Sequence, residues 1–381
     1  MKSERIQEQR MNGQIAQPET TLSRFHTWLA QSLVNNNEFF AYFEPFIRLA
    51  MPAWSTVGVR SRVMKVHSET GDVYSLVIRP GRRWKNFSAG QHVQISAELN
   101  GTLYTRTFSI STSPDYFRKT GLIELSIRSK PDGRVTPMLK EHFAKGGVCT
   151  LSDAGGDFLL PEGNEPLLLI AGGSGITPFR SMMNQLSSNS LRDVHLLFYI
   201  RNSSNALFRQ ELDRIAELHP NLKVTFINTE AEGQVCEEHL LRYCPDVADR
   251  IAMVCGPTPM IQGTRNLLSE LGLPADQIRF EYFGAAPIEM EMTGEKSFVR
   301  FKTSGIATTT TPDEQMSLLD LAEKQGLTPQ HGCRIGVCYQ CVCTKESGVV
   351  FNTRTGQYSD TGKEDIQLCI SVAASDLELN I

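Results

Sequence analysis

Apolar and polar residues alternate in short runs from Val57 to Leu160. The runs are VGVRSRVMKVHS, GDVYSLVIRP, QHVQISAEL and GLIELSIRSK, with Gly, Asn and Pro between them. Successive short strands bounded by turn residues predict an antiparallel barrel, interrupted by one helix near Pro137–Phe143. From Glu165 the texture changes. LLLIAG, VHLLFYI, KVTFIN and IAMVCG are unbroken apolar runs, and stretches of helical period such as Phe208–Leu218 lie between them. Strands of that kind are buried on both faces, so this part predicts a parallel sheet covered by helices. IEMEMTGEKS then reads as a polar linker. A strand (SFVRFKTS), a helix (MSLLDLAEKQG) and a cysteine loop follow it.

The amino-terminal part is different again. Residues 1–18 are polar and rich in Gln, a loose terminus. From Arg24 to Val34, Phe25, Trp28, Leu29 and Leu33 recur at helical spacing. Residues 39–51 are more apolar, but Glu44, Pro45 and Arg48 interrupt them, and a membrane span needs about 20 apolar residues. Residues 20–55 are expected to form a helical extension that packs on the protein. An interfacial helix making peripheral membrane contact through residues 20–51 is the alternative. The pattern thus divides the chain into an extension (1–55), a β-barrel domain (56–162), a parallel α/β domain (163–286), a linker (287–295) and a carboxy-terminal α+β domain (296–381).

Charge and cysteine content narrow the chemistry. Net charge is −4 over 381 residues, so no basic field points to nucleic acid. Residues 56–162 carry 15 Lys and Arg against 10 Asp and Glu, whereas residues 163–294 carry 10 against 16. Separate solvated surfaces or complementary docking faces both account for that asymmetry. Of the nine cysteines, four fall within 333–343. Clustered thiols without an export signal read as metal ligands in a reducing, cytoplasmic setting rather than as a disulfide framework.

HGCRIGVCYQCVC supplies Cys333, Cys338 and Cys341, and QLCIS supplies Cys369. Spacing of C-x4-C-x2-C with one distant cysteine is the plant-type [2Fe–2S] arrangement; zinc sites pair their cysteines more evenly. Gly332 and Gly336 keep the backbone thin, letting amide N–H groups approach the sulfurs. Cys343 is read as pointing away, and Cys149, Cys236 and Cys244 as structural.

Two further motifs carry cofactor chemistry. YTRTFSISTSP presents Arg106, Thr107, Phe108 and Ser109 at a strand end, a cation, a flat face and hydroxyl donors of the kind a flavin needs. Downstream, Gly133 and Thr136 precede Pro137 at a helix start, a ready phosphate site. AGGSGITP (171–178) follows an apolar strand and opens a helix, so its amides suit a pyrophosphate. MVCGPTPM places Cys255, Gly256 and Pro257 at the end of another strand. After VHLLFYI come Arg201, Asn202, Ser203 and Ser204, with Arg209 further on and no carboxylate at that strand end. This set favours NADPH, with NADH as the alternative.

In order and kind, these motifs resemble the ferredoxin–NADP reductase superfamily, in the subgroup with a fused plant-type ferredoxin domain. The likeness spans residues 57–381. It implies an antiparallel flavin barrel, an α/β nicotinamide-binding domain and a β-grasp-type [2Fe–2S] domain. Arg106, Phe108 and Ser109 match the family's R-x-Y-S motif with Phe for Tyr, which puts Ser109 beside the hydride-accepting edge of the flavin. Gly133 and Thr136 match its phosphate motif, and Gly172, Gly173, Gly175 and Thr177 its nicotinamide pyrophosphate loop. Cys255 to Pro257 match its C-G-P site, and Glu281 and Phe283 the stretch that closes the flavin–nicotinamide site. By the same likeness SDAGGDF (152–158) implies FAD rather than FMN. Ser109, Cys255 and Glu281 are then the catalytic candidates.

Within the subgroup the extension is similar to that of reductases serving membrane-bound diiron fatty-acyl desaturases and hydroxylases. It implies an electron-acceptor protein of that kind as partner, and a role in fatty acid desaturation. A reductase component of a soluble Rieske or diiron oxygenase is the alternative, and a redox-sensing binding protein is an alternative of another class.

Overall fold

Alternating and unbroken apolar patterns produce different sheets in the computed structural model, which describes residues 58–99, 102–129, 133, 135–283, 296–310 and 316–381. The expected extension over 1–55 and linker over 287–295 lie outside the described residues. Residues Arg60–Ile381 form one compact unit.

β1 (Val59–Ser68), β2 (Val73–Arg79), β3 (His92–Leu99), β4 (Thr102–Ser109), β5 (Ile123–Arg128) and β6 (Gly147–Leu151) make one sheet, ordered β4-β3-β6-β1-β2-β5. A bridge between Ile110 and Leu125 joins its two ends, so the antiparallel sheet nearly closes into a barrel. Along β3, buried Val93 and Ile95 alternate with half-buried His92 and Gln94. The pleat therefore keeps one face for the core and leaves the other for ligands.

Two helices interrupt the strands, not one. α1 (Pro114–Thr120) is the addition and α2 (Thr136–Phe143) the expected one. Ser113 caps α1, its Oγ accepting from the Tyr116 N–H, and Pro114 occupies the first turn. The start signal lay in STSPDY; the strand pattern on either side hid it.

β7 (Leu167–Gly172), β8 (Val194–Ile200), β9 (Leu222–Asn228), β10 (Ile251–Gly256) and β11 (Ile278–Tyr282) form a second sheet, ordered β11-β10-β7-β8-β9 and parallel throughout. Every residue of β7 and β8 is buried, as unbroken apolar runs require. The chain runs outward from β7 to one side and returns to β10 on the other. That reversal opens a crevice at the carboxyl ends of the strands, where α/β sheets bind ligands. α3 (Ile176–Asn189), α4 (Arg209–Leu218), α5 (Glu237–Tyr243) and α6 (Thr258–Glu270) are the helices of this segment.

The barrel and the parallel sheet are fastened through α3. Arg180 pairs with Glu124 of β5 and Glu211 of α4, and its guanidinium lies 4.2 Å from the Phe208 ring centroid. Burial opposes that charge, but the two carboxylates outweigh it and hold the guanidinium above its ordinary pKa. Ser181 Oγ donates to the Thr112 carbonyl at 2.7 Å.

The last segment folds as α+β. β12 (Ser297–Phe301), β13 (Ile306–Thr310), β14 (Val342–Ser347), β17 (Glu364–Gln367) and β19 (Leu377–Leu379) are ordered β13-β12-β19-β14-β17. A smaller sheet contains β15 (Val350–Asn352), β16 (Gln357–Tyr358) and β18 (Ser371–Ala373). α7 (Leu318–Lys324) buries Leu318, Leu319, Leu321 and Ala322 in the core with Val299 and Phe301. Among the described residues no helix is long and apolar enough to cross a membrane.

Candidate functional site

Residues 325–341 connect α7 to β14 and end in the cysteine loop 332–341, and Cys369 stands in the turn Leu368–Ile370 after β17. The Leu368 N–H donates to the Cys341 carbonyl at 3.0 Å, which brings the distant cysteine to the loop. Arg334, Gly336 and Tyr339 adopt left-handed backbone with φ of 60°, 76° and 55°. These turns curl the loop so that its amides face inward. Cys333 N–H donates to Cys338 Sγ at 3.2 Å, and Ile335 and Val337 N–H to Cys333 Sγ at 3.4 Å. A side chain at Gly336 would strike Ile370. Four soft donors converge within a ring of N–H groups, the environment a [2Fe–2S] cluster needs. Cys343 stands apart, its thiol pushed up to about 12 by burial.

Beside this loop lies a cavity of about 170 Å³. Its walls come from Thr107, Phe108 and Ser109 of β4, Ser174 and Thr177 of the Gly-rich segment, Glu281 of β11 and Phe283 just after it, and Ile335 of the cysteine loop. Thus one space joins all three motif regions. His92, opposite Ser109 in the strand register, lines it as well, with Nδ1 3.4 Å from Glu281 Oε1. Thr107 Oγ1 and Glu281 Oε2 are buried without hydrogen-bond partners. Orphaned polar atoms around an aromatic wall fit a heteroaromatic ring carrying its own donors and acceptors.

Arg106 is not among the residues lining that space. Its Nη1 donates to the Thr105 carbonyl at 2.8 Å and the Gly332 carbonyl at 3.4 Å, beside the cysteine loop. Thr136 opens α2, and its carbonyl accepts from Tyr74 Oη at 2.7 Å; Gly133 is half-buried nearby in sequence.

A larger cleft of about 530 Å³ opens at the carboxyl ends of the parallel strands. Gly172, Gly173, Arg201 and Pro257 line it. A side chain at Gly172 would overlap Met260 Sδ, and one at Gly175 would overlap the Cys255 carbonyl. These glycines are therefore required by the protein's own packing as well as by close approach of a ligand. A Cβ placed on Gly256 would lie 3.2 Å from Gly172 Cα. Cys255 itself is wholly buried in the core and lines none of these spaces; burial raises its thiol pKa, with Glu281 adding to the effect.

Two residues were missed from sequence, one lining this cleft and one beside its strand end. Arg128, at the end of β5, lines both the 170 Å³ cavity and the 530 Å³ cleft, with Nε 3.1 Å from Asp72 Oδ2. A Cβ on Gly173 would lie 3.0 Å from its guanidinium. No local motif marks it. Glu230, beyond β9, accepts from Asn202 Nδ2 at 3.3 Å. Tertiary folding therefore brings a carboxylate to the strand end where the sequence has none. Arg209 is turned from the cleft, 4.0 Å from the Phe226 ring centroid and paired with Asp213.

Comparison with known families agrees with this arrangement. Residues 62–158 match an oxidoreductase FAD-binding domain, 169–266 an oxidoreductase NAD-binding domain, and 301–374 a 2Fe-2S iron–sulfur cluster binding domain. The chain is an electron-transfer flavoprotein reductase that binds FAD, a nicotinamide nucleotide and a [2Fe–2S] cluster. It is 29% identical over 341 residues to an NADPH oxidoreductase of Mycobacterium tuberculosis, covering 89% of this chain and 88% of that one. It is 25% identical over 370 residues to the glycine betaine monooxygenase reductase subunit of Chromohalobacter salexigens, covering 89% and 98%. Its fold is that of phthalate dioxygenase reductase, with a TM-score of 0.58, 21% identity, and coverage of 85% and 98%.

Proposed function

We propose that the cavity shared by β4, the Gly-rich turn and the cysteine loop is where nicotinamide, flavin and cluster meet. The observation that carries this is Ile335, a residue of the cysteine loop, standing in the same wall as Thr107, Phe108 and Ser109. FAD held against Phe108 and Ser109 would supply hydride acceptance and one-electron release, and a cluster on the four cysteines would supply a one-electron relay to an acceptor protein.

The chain's own residues bind and orient. Phe108 offers the ring a flat face, and the Thr107 and Ser109 hydroxyls supply donors at its edge. Arg106, Gly133 and Thr136 serve the phosphate end, which requires Arg106 to leave the Gly332 carbonyl or bridge from it. Gly172, Gly173, Gly175, Thr177, Gly256 and Pro257 hold the dinucleotide, with Arg201 on the adenosine side. Glu281 holds or moves a proton at the cavity, and Phe283 closes it to water. Cys255 acts from beneath, setting the height of the Gly175 turn. Cys333, Cys338, Cys341 and Cys369 ligate the cluster. Purified protein is expected to be yellow-brown and to yield FAD, iron and acid-labile sulfide; zinc in their place contradicts the reading.

NADPH is the proposed donor. Arg201 in the cleft and the likeness to an NADPH oxidoreductase support it, whereas Glu230 beside Asn202 favours NADH. Comparing kcat/KM for the two nucleotides decides between them. For the acceptor, the extension over residues 1–55 supports a membrane-bound desaturase or hydroxylase. A soluble oxygenase component is the second reading, supported by the likeness to a monooxygenase reductase subunit. Membrane co-sedimentation of the intact chain, lost with acceptor coupling on deletion of residues 1–55, supports the first; full coupling without the extension supports the second.

A further inference from the structure

Beyond binding the cofactors, the reductase must hold its cluster loop against the flavin barrel, and one side chain on β3 stands where it can do so. Gln94 Nε2 donates to the Val337 carbonyl at 3.0 Å. Both ends of that bond are fixed. On the barrel side, Gln94 N–H donates to Ser152 Oγ at 2.9 Å and its carbonyl accepts from Ser152 N–H at 3.0 Å. Its register partner is Thr107, so Gln94 shares a sheet face with residues lining the 170 Å³ cavity. On the loop side, Val337 N–H donates to Cys333 Sγ at 3.4 Å. The preceding Gly336 carbonyl accepts from Arg354 Nη1 at 3.2 Å and Gln367 Nε2 at 3.0 Å. Ile335 donates its N–H to the same Cys333 sulfur and turns its side chain into the cavity wall. A single residue thus links a cluster sulfur to the flavin cavity, and Gln94 holds the peptide beside it.

We propose that Gln94 is a positioning residue that clasps the loop 332–337 to the barrel and so fixes Ile335 between the two redox sites. This rests on the assignment of flavin and cluster made above. Clasping favours electron transfer from flavin to cluster and leaves the nicotinamide cleft unaltered, because Gln94 is not among the residues lining that cleft. The Arg106 bond to the Gly332 carbonyl supports the same contact.

The test compares parent holoprotein with Gln94→Met, which keeps length and loses the donor, and Gln94→Lys, which restores a donor of similar reach. Hydrogen–deuterium exchange of loop 332–341 reads the clasp directly. In Gln94→Met protection is expected to fall about five-fold, the shift produced by losing one hydrogen bond of ~1 kcal/mol. In anaerobic single-turnover mixing with NAD(P)H, flavin reduction stays at the parent rate while the following cluster reduction slows. Gln94→Lys recovers both readouts. Unchanged exchange and cluster reduction in Gln94→Met overturn the proposal, as does equal slowing of both phases with general loss of protection. If the parent cluster is never reduced by NAD(P)H, the redox assignment fails, while the exchange arm still reports on the clasp.

Discussion

The cysteine loop and the nicotinamide turn are both glycine-bearing connections before a regular element, yet different atoms constrain them. In the cysteine loop, backbone N–H groups of Cys333, Ile335 and Val337 aim at sulfur, and two non-glycine residues accept left-handed φ to make that possible. In the nicotinamide turn, the space at Gly172 and Gly175 is already taken by Met260 and the Cys255 carbonyl. The first loop is shaped to present thiols and amides to a cluster; the second is shaped chiefly by the protein's own packing. Similar composition therefore hides two kinds of requirement. Substitutions in the first should remove a cofactor, and substitutions in the second should remove stability.

The largest effect expected is at Cys369. Replacing it with Ala leaves three thiols and breaks the cluster outright. Visible absorbance, iron and sulfide should drop together, while NAD(P)H still bleaches the flavin. Retention of the cluster in that variant would falsify the ligand assignment. Next comes Gly175→Ala. The overlap is with backbone that cannot rotate away, so unfolding stability should fall by about 3 kcal/mol, read from urea denaturation, with cluster content per folded molecule unchanged.

A smaller effect separates ligand binding from packing within the cleft. Arg128→Gln removes a cation that faces both spaces but supports little of the core. KM for the nicotinamide should rise about ten-fold, equivalent to ~1.4 kcal/mol of a charge-assisted contact, with little change in kcat or melting temperature. An unaltered KM would take Arg128 out of the binding site.

The smallest effect is away from both loops. His195 in β8 is held neutral by burial, with Arg250 and Lys223 adding to the effect, and its pKa is pushed down from 6.5 to about 4. Its ring nitrogen bonds Thr225 Oγ1 at 2.9 Å. The unfolded chain binds a proton more readily, so the stabilisation from neutral His195 is full above pH 6.5 and is lost as pH falls toward 4. Urea midpoints across that range should decline, and His195→Gln should flatten this part of the decline.

How far the sequence carried follows from how local each constraint is. Three cluster ligands lie within nine residues, so Cys333, Cys338 and Cys341 could be read from spacing alone. The barrel and the parallel sheet were legible because alternation and unbroken apolar runs have different burial consequences. Helix α1 was missed although Ser113 and Pro114 signalled it. Arg128 and Glu230 had no signal at all: their positions depend on which strand ends the fold brings together. Cys255 was legible as a motif residue, but only packing shows that its side chain is sealed in the core and that its carbonyl, not its thiol, meets the Gly-rich turn. Arg106 carries a second contact, to the cysteine loop, that a flavin motif does not imply.

An anaerobic titration of the holoprotein with NAD(P)H, followed by absorbance and by electron paramagnetic resonance, tests the central claim most directly. One connected site predicts that the flavin bleaches and that the paramagnetic signal of a reduced [2Fe–2S] cluster grows in with it. A flavin that bleaches fully while the cluster stays oxidised would contradict it.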